Sequence, residues 1–87
     1  MEHSILDKER VRLRRLQLRI SQQRLGEMIG QDQGYVSRLE RGEITDITVR
    51  TLARLADALR VSTDYLLGRK DEMDSEGFPA VEALVGA

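Results

Sequence analysis

Gln22, Gln33, Ser37, Arg38 and Arg41 are the residues of this chain whose types and spacing suggest chemistry. All carry hydrogen-bonding groups, and none is a nucleophile placed near a base. An amide or a guanidinium can make two parallel hydrogen bonds to one planar edge, which is a recognition task. Gln33 can pair in this way with adenine and Arg38 with guanine, with Ser37 between them. Catalytic chemistry finds little material here. His3 is the only histidine, cysteine is absent, and carboxylates such as Asp57 and Asp64 lack metal-ligand spacing. No glycine-rich phosphate loop occurs, so neither an enzyme, a metal, a cofactor nor a small-molecule ligand is expected.

Those side chains need a rigid carrier, and the stretch Ser21 to Gly42, SQQRLGEMIGQDQGYVSRLERG, supplies one. Ser21 can cap a helix over about Gln22 to Ile29, with Leu25 and Ile29 on one face. Gly30 stands where that helix must stop. Asp32 can cap a second helix over about Gln33 to Arg41, in which Val36 and Leu39 face inward. Gln33, Gly34, Ser37 and Arg38 are left on the outer side, with Arg41 one turn later. An α-helix fits the major groove of DNA, and residues near its start approach base edges. Amides at the start of the first helix, joined by the Ser21 hydroxyl, favour an anion such as a phosphate. Gly26 is costly in a helix interior unless another element crosses close to it. Two helices at a steep angle across a short turn would do so.

The segment resembles the phage repressor/Cro-like (XRE-type) helix-turn-helix family. Leu25, Gly26, Ile29, Gly30, Val36 and Leu39 stand at that family's apolar, small and turn positions, and Glu40-Arg41-Gly42 matches the closure of its motif. The run LARLADALRVSTDYLLG, Leu52 to Gly68, is similar to its last two helices. The resemblance covers about residues 1–68 and implies an all-α, compact five-helix lambda-repressor-like domain with its motif at about 22–41. It implies that Gln33 reads a base, and that Gln22 binds phosphate and braces Gln33. Arg41 and Thr45 would grip the backbone on the other side of the groove. It also implies that Arg15 pairs with Glu40 as a structural ion pair, setting how the first helix crosses the recognition helix. Gln31 and Gly34 depart from the pattern, at positions usually apolar and often occupied by a DNA-reading side chain respectively.

The remaining sequence fits around this unit. Asp7 can cap a first helix to about Leu18, with Leu6, Val11, Leu13 and Leu16 as its apolar contacts. Arg10, Arg12 and Arg14 then read as a solvated face. Thr48 can cap a fourth helix carrying the stripe Leu52, Leu55, Ala56 and Leu59, while the preceding Gly42 to Asp46 has no clear regular structure. Ser62 can cap a short fifth helix that turns Tyr65, Leu66 and Leu67 inward before Gly68 ends it.

At 87 residues the chain has room for one small core, and only three residues are aromatic, so Leu, Ile, Val and Ala must fill it. No apolar run is long enough for a membrane span, and MEHSILDKER has no signal-peptide pattern, which together with absent cysteine suits a cytoplasmic protein. Net charge is −1, but it is unevenly placed. Residues 1–68 hold 12 Lys and Arg against 10 Asp and Glu, whereas residues 69–87 hold 2 against 5. Local positive charge is what meets phosphates, so this balance is compatible with DNA binding. Residues 69–87 read as an acidic linker, RKDEMDSEG, and a short apolar segment, GFPAVEALVGA. Phe78, Val81, Leu84 and Val85 could share one helical face and serve as dimer contacts, the alternatives being docking on the chain's own domain or a frayed end.

The expected function is sequence-specific binding of double-stranded DNA by a transcriptional regulator, acting as a repressor and a homodimer on a palindrome. The alternative is a protein-interaction module, an adaptor or anti-repressor on the same fold, for which the acidic tail and small net charge speak.

Overall fold

The computed structural model of the protein describes residues 6–44, 46–69 and 71–73. Among them lie five helices: α1 (Lys8–Gln17), α2 (Gln22–Ile29), α3 (Gln33–Glu40), α4 (Val49–Leu59) and α5 (Thr63–Leu66). Each begins at one of the expected caps. Asp7, Ser21, Asp32, Thr48 and Ser62 all have extended backbone, and each side-chain oxygen accepts an amide hydrogen from the first turn. A cap of this kind stabilises its helix by about 1 kcal/mol, because it satisfies an amide that the helix itself cannot.

All five helices also end alike. At the end of α2, Gly30 turns left-handed at φ 77°, and the next amide, Gln31 N–H, donates back to Gly26 O at 2.8 Å. The same reversal closes α3 at Gly42 and α5 at Gly68. At the ends of α1 and α4 it is made by Arg19 (φ 60°) and Arg60 (φ 59°), where Ile20 N–H reaches Arg15 O and Val61 N–H reaches Ala56 O. Side chains with a Cβ are disfavoured in this region, so these two turns rest on the packing that follows them. That packing is present, since Val61 is buried in the core and Ile20 is half-buried against it.

The core is aliphatic. Val11 from α1, Leu25 and Ile29 from α2, Val36 and Leu39 from α3, Leu55 and Leu59 from α4 and Leu66 from α5 are all fully buried. Helix α2 lies between α3 and α4, and α1 runs beneath α3 while holding α4 and α5.

Helix α1 corrects the apolar assignment. Leu6 and Val11 are buried as expected, but Leu13 and Leu16 are 51% and 47% exposed. The inward face is shared by Val11 and Arg15, one turn apart, which leaves Leu13 and Leu16 outside. Apolar periodicity misled because one core-facing position is an arginine. Two of the arginines read as a solvated face also have structural work. Arg10 lies over the Tyr65 ring, 4.4 Å from its centroid, and donates to Tyr65 O at 3.0 Å and to Asp71 Oδ1 at 2.9 Å. Arg14 Nε donates to Leu59 O at 2.9 Å. Both fasten α1 to carbonyls in the last turns of α5 and α4, where Tyr65 O also accepts Gly68 N–H at 3.0 Å. Arg12 is exposed.

Candidate nucleic-acid interface

The two helices of the motif share the core through Leu25, Ile29, Val36 and Leu39, and approach closely at Gly26. A Cβ built on Gly26 would stand 2.8 Å from both the carbonyl carbon and oxygen of Asp32, and 3.1 Å from Gln31 O. The crossing element is therefore the backbone of the turn itself, which carries Asp32, the cap of α3. Its Oδ1 accepts Tyr35 N–H at 2.8 Å.

Beneath the motif, Arg15 and Glu40 form the expected pair, with side chains 11% and 4% exposed. Arg15 Nε donates to Glu40 Oε2 at 2.6 Å and Nη2 to Oε1 at 3.1 Å, while Nη1 donates to Ile20 O at 2.9 Å. This bidentate geometry, with a further acceptor for the third nitrogen, is what allows a charge pair to be tolerated in a core. Gln22 is a third member that the sequence did not reveal. Its Nε2 donates to Glu40 Oε1 at 3.1 Å, so the side chain expected to brace Gln33 is itself anchored on Glu40. The bond fixes which end of the amide is which. One N–H and the carbonyl oxygen of Gln22 remain for other partners.

At the exposed start of α2, the Ser21 oxygen accepts Arg24 N–H at 2.9 Å, which leaves the hydroxyl proton free to donate outward. On α3, Val36 and Leu39 are wholly buried, while Gln33, Gly34 and Arg38 are exposed and Ser37 is half-buried. Gln33 also lines a polar groove of about 400 Å³ with Gln23, Glu27, Gln31 and Asp32. The residues expected to read bases and bind phosphate at 21, 22, 33, 37, 38 and 41 thus lie on α2, on α3 and on the caps at the start of α2 and the end of α3. Thr45 lies outside the described residues, as do Phe78, Val81, Leu84 and Val85.

Arg41, the residue that ends α3, is held more tightly than the sequence suggested. Its Nε donates to Glu43 Oε2 at 2.9 Å and its Nη2 to Oε1 at 3.3 Å, and its Nη1 donates to Ser37 Oγ. The hydrogen bond from Arg41 holds the Glu43 carboxyl below its ordinary range, and the same bond raises Arg41. Of the five guanidinium hydrogens, one on Nη1 and one on Nη2 stay unused. Arginine only donates, so Ser37 Oγ is an acceptor here and its own proton is free for an outside acceptor. Tyr35, in the first turn of α3, has its phenol pushed up by burial, an effect partly offset by the Arg38 charge.

Among the described residues no group of three or more His, Cys, Asp or Glu could hold a metal ion. No helix among them is long and apolar enough to cross a membrane.

Known proteins share this arrangement. Repressor protein C2 of Salmonella phage P22 is 44% identical over 59 residues, which is 68% of this chain and 27% of that protein. The chain thus spans about a quarter of that relative's length. Among solved structures, the P22 c2 repressor in complex with synthetic operator 9T superposes with a TM-score of 0.68 at 37% identity, covering 80% of this chain and all of that one. A SinR protein/SinI protein complex gives a TM-score of 0.65 at 26% identity, over 90% of this chain and 77% of the other. The helix-turn-helix family HTH_3 matches residues 11–66, from within α1 to the end of α5. With the caps of α2 to α5, the Gly26 crossing and the Arg15–Glu40 pair all in that span, the chain belongs to the phage repressor/Cro-like (XRE-type) helix-turn-helix family.

Proposed function

We propose that the protein is a sequence-specific double-stranded DNA-binding regulator that represses transcription as a homodimer on a palindromic operator. The observation that carries this reading is α3, buried on one side through Val36 and Leu39 and presenting Gln33, Ser37 and Arg38 on the other. Such a helix enters the major groove while flanking groups hold the phosphates. Gln33, Ser37 and Arg38 contact base edges. Ser21, Gln22, Arg41 and Thr45 contact the backbone. The relative in phage P22 is named a repressor, and its structure was solved with a synthetic operator, which supports the same role here.

Selection of preferred duplexes from a random pool, followed by affinity measurement across salt concentrations, tests the reading. A preferred site should emerge, and the logarithm of affinity should fall linearly with the logarithm of salt as counterions are released. Arg38→Ala should relax preference at one base pair of each half-site, whereas Arg41→Ala should weaken all sequences alike. Absence of any preferred site at low salt would favour the other reading, a protein-interaction module. Leu13 and Leu16, exposed one turn apart on α1, are the surface that reading would use.

A further inference from the structure

We propose that Gly34 determines which base this protein reads: its missing side chain leaves a slot on the first turn of α3 into which Arg38 folds, so that guanine is preferred there. The proposal rests on the DNA-binding reading above and adds to it the residue that lets Arg38 reach its guanine.

Glycine needs an explanation at this position. It weakens a helix relative to alanine, and Gly34 lies inside the first turn of α3. The backbone does not require it. Left-handed glycines among the described residues are Gly30, Gly42 and Gly68, and Gly34 is not one of them. Close packing does not require it either, since Gly34 is exposed and nothing like the backbone collision at Gly26 awaits a side chain there. The atoms that an added Cβ would meet are Arg38 Nη1 at 3.3 Å and Asp32 Oδ1 at 3.5 Å.

Helical side chains lean toward the N-terminus, so residue 38 covers the surface above residue 34. Here the guanidinium itself occupies that surface, with Nη1 3.3 Å from where a Cβ at 34 would stand. The N-terminal turn of a recognition helix is the part that approaches base edges. Arg38 therefore presents its donors where a side chain at 34 would otherwise stand. Two of those donors match guanine O6 and N7. An apolar side chain at 34 would instead meet a thymine methyl group, and this chain has none to offer. A well-made bidentate contact to guanine discriminates by roughly 5- to 150-fold against the wrong base.

The test uses the full chain and the variants Gly34→Ala, Gly34→Leu, Arg38→Ala and Gly34→Leu with Arg38→Ala. Operators come from selection with the parent protein, and each base pair is then varied in turn. The parent should prefer guanine at one pair per half-site, and Arg38→Ala should remove that preference. Gly34→Ala should raise the urea midpoint while weakening the same preference at least threefold, and Gly34→Leu should abolish it. In the Arg38→Ala background, Gly34→Leu should change guanine preference at that pair less than twofold. The inference is overturned if the Gly34 variants keep the parent's guanine preference, if Gly34→Leu has the same effect with and without Arg38, or if Gly34→Ala lowers stability. A parent that selects no site at all would overturn the DNA-binding reading, and this inference with it. A selected site whose guanine preference ignores Arg38 overturns this inference alone.

Discussion

Arg15 and Glu40 show at the residue scale how a charge can be part of a core. Neither could be buried alone, since an unpaired ion in the interior is expensive. Together with Ile20 O and Gln22 they form a closed network in which every buried polar side-chain atom has a partner. Arg15→Leu leaves the Glu40 carboxylate buried with one amide for company and should cost about 3–5 kcal/mol in urea unfolding. Replacing both by leucine should recover most of that loss, because an apolar pair of similar volume has no charge to desolvate. A single variant as stable as the double would show that the carboxylate gains little from its arginine. The pair was legible from the resemblance, but Gln22's attachment to it was not. A glutamine at the start of a helix looks the same in sequence whether it faces solvent or a neighbour 18 positions away.

Among elements, the α2–α3 corner has the least tolerance. The Gly26 Cβ position is filled by rigid backbone of the turn, which cannot swing aside as a side chain can. Gly26→Ala should therefore destabilise by about 1–3 kcal/mol, the usual cost of overpacking, despite the better helix propensity of alanine. The thermal midpoint would fall, and α3 would be displaced relative to α2, so operator affinity should fall as well. An unchanged midpoint would mean that the turn moves freely, contrary to the contacts seen. Helix starts were readable because a cap is a local matter between one side chain and an amide two or three residues on. Ends were readable where glycine made them. Arg19 and Arg60 adopt the same left-handed turn without glycine, and no local signal marks them.

On the scale of the whole molecule, one α3 reads too few base pairs to find a unique site, which is the physical case for a two-fold pair of chains. Their recognition helices would then reach half-sites centred about 34–36 Å apart. Sedimentation with a selected operator should give two chains per duplex. The part played by the C-terminal segment is best tested by ending the chain after Met73. Asp71 is paired with Arg10 at 2.9 Å, and Met73 packs against the core, so an earlier cut would disturb the domain itself. If Phe78, Val81, Leu84 and Val85 join the two chains, the shortened protein should keep its helical circular dichroism, self-associate less and bind the full palindrome more weakly. Equal affinity and equal self-association would exclude the segment from assembly.

Among the described residues the five helices, their N-caps and most of the buried aliphatic positions followed from the sequence by itself, because capping and 3.6-residue periodicity act between residues close along the chain. The outward row on α3 followed in the same way, once Val36 and Leu39 were assigned to the core. Tertiary structure decided the rest. It chose the inward face of α1, where a charge partner 25 residues away outweighs the apolar character of Leu13 and Leu16. It turned Arg10 and Arg14 from surface charges into clamps on distant carbonyls, and it placed Glu43 against Arg41 and Arg38 over Gly34. These outcomes depend on which polar group lies within about 3 Å of another after folding. Long side chains such as arginine have many such partners within reach. Residue type and spacing do not choose among those partners; the packed backbone does.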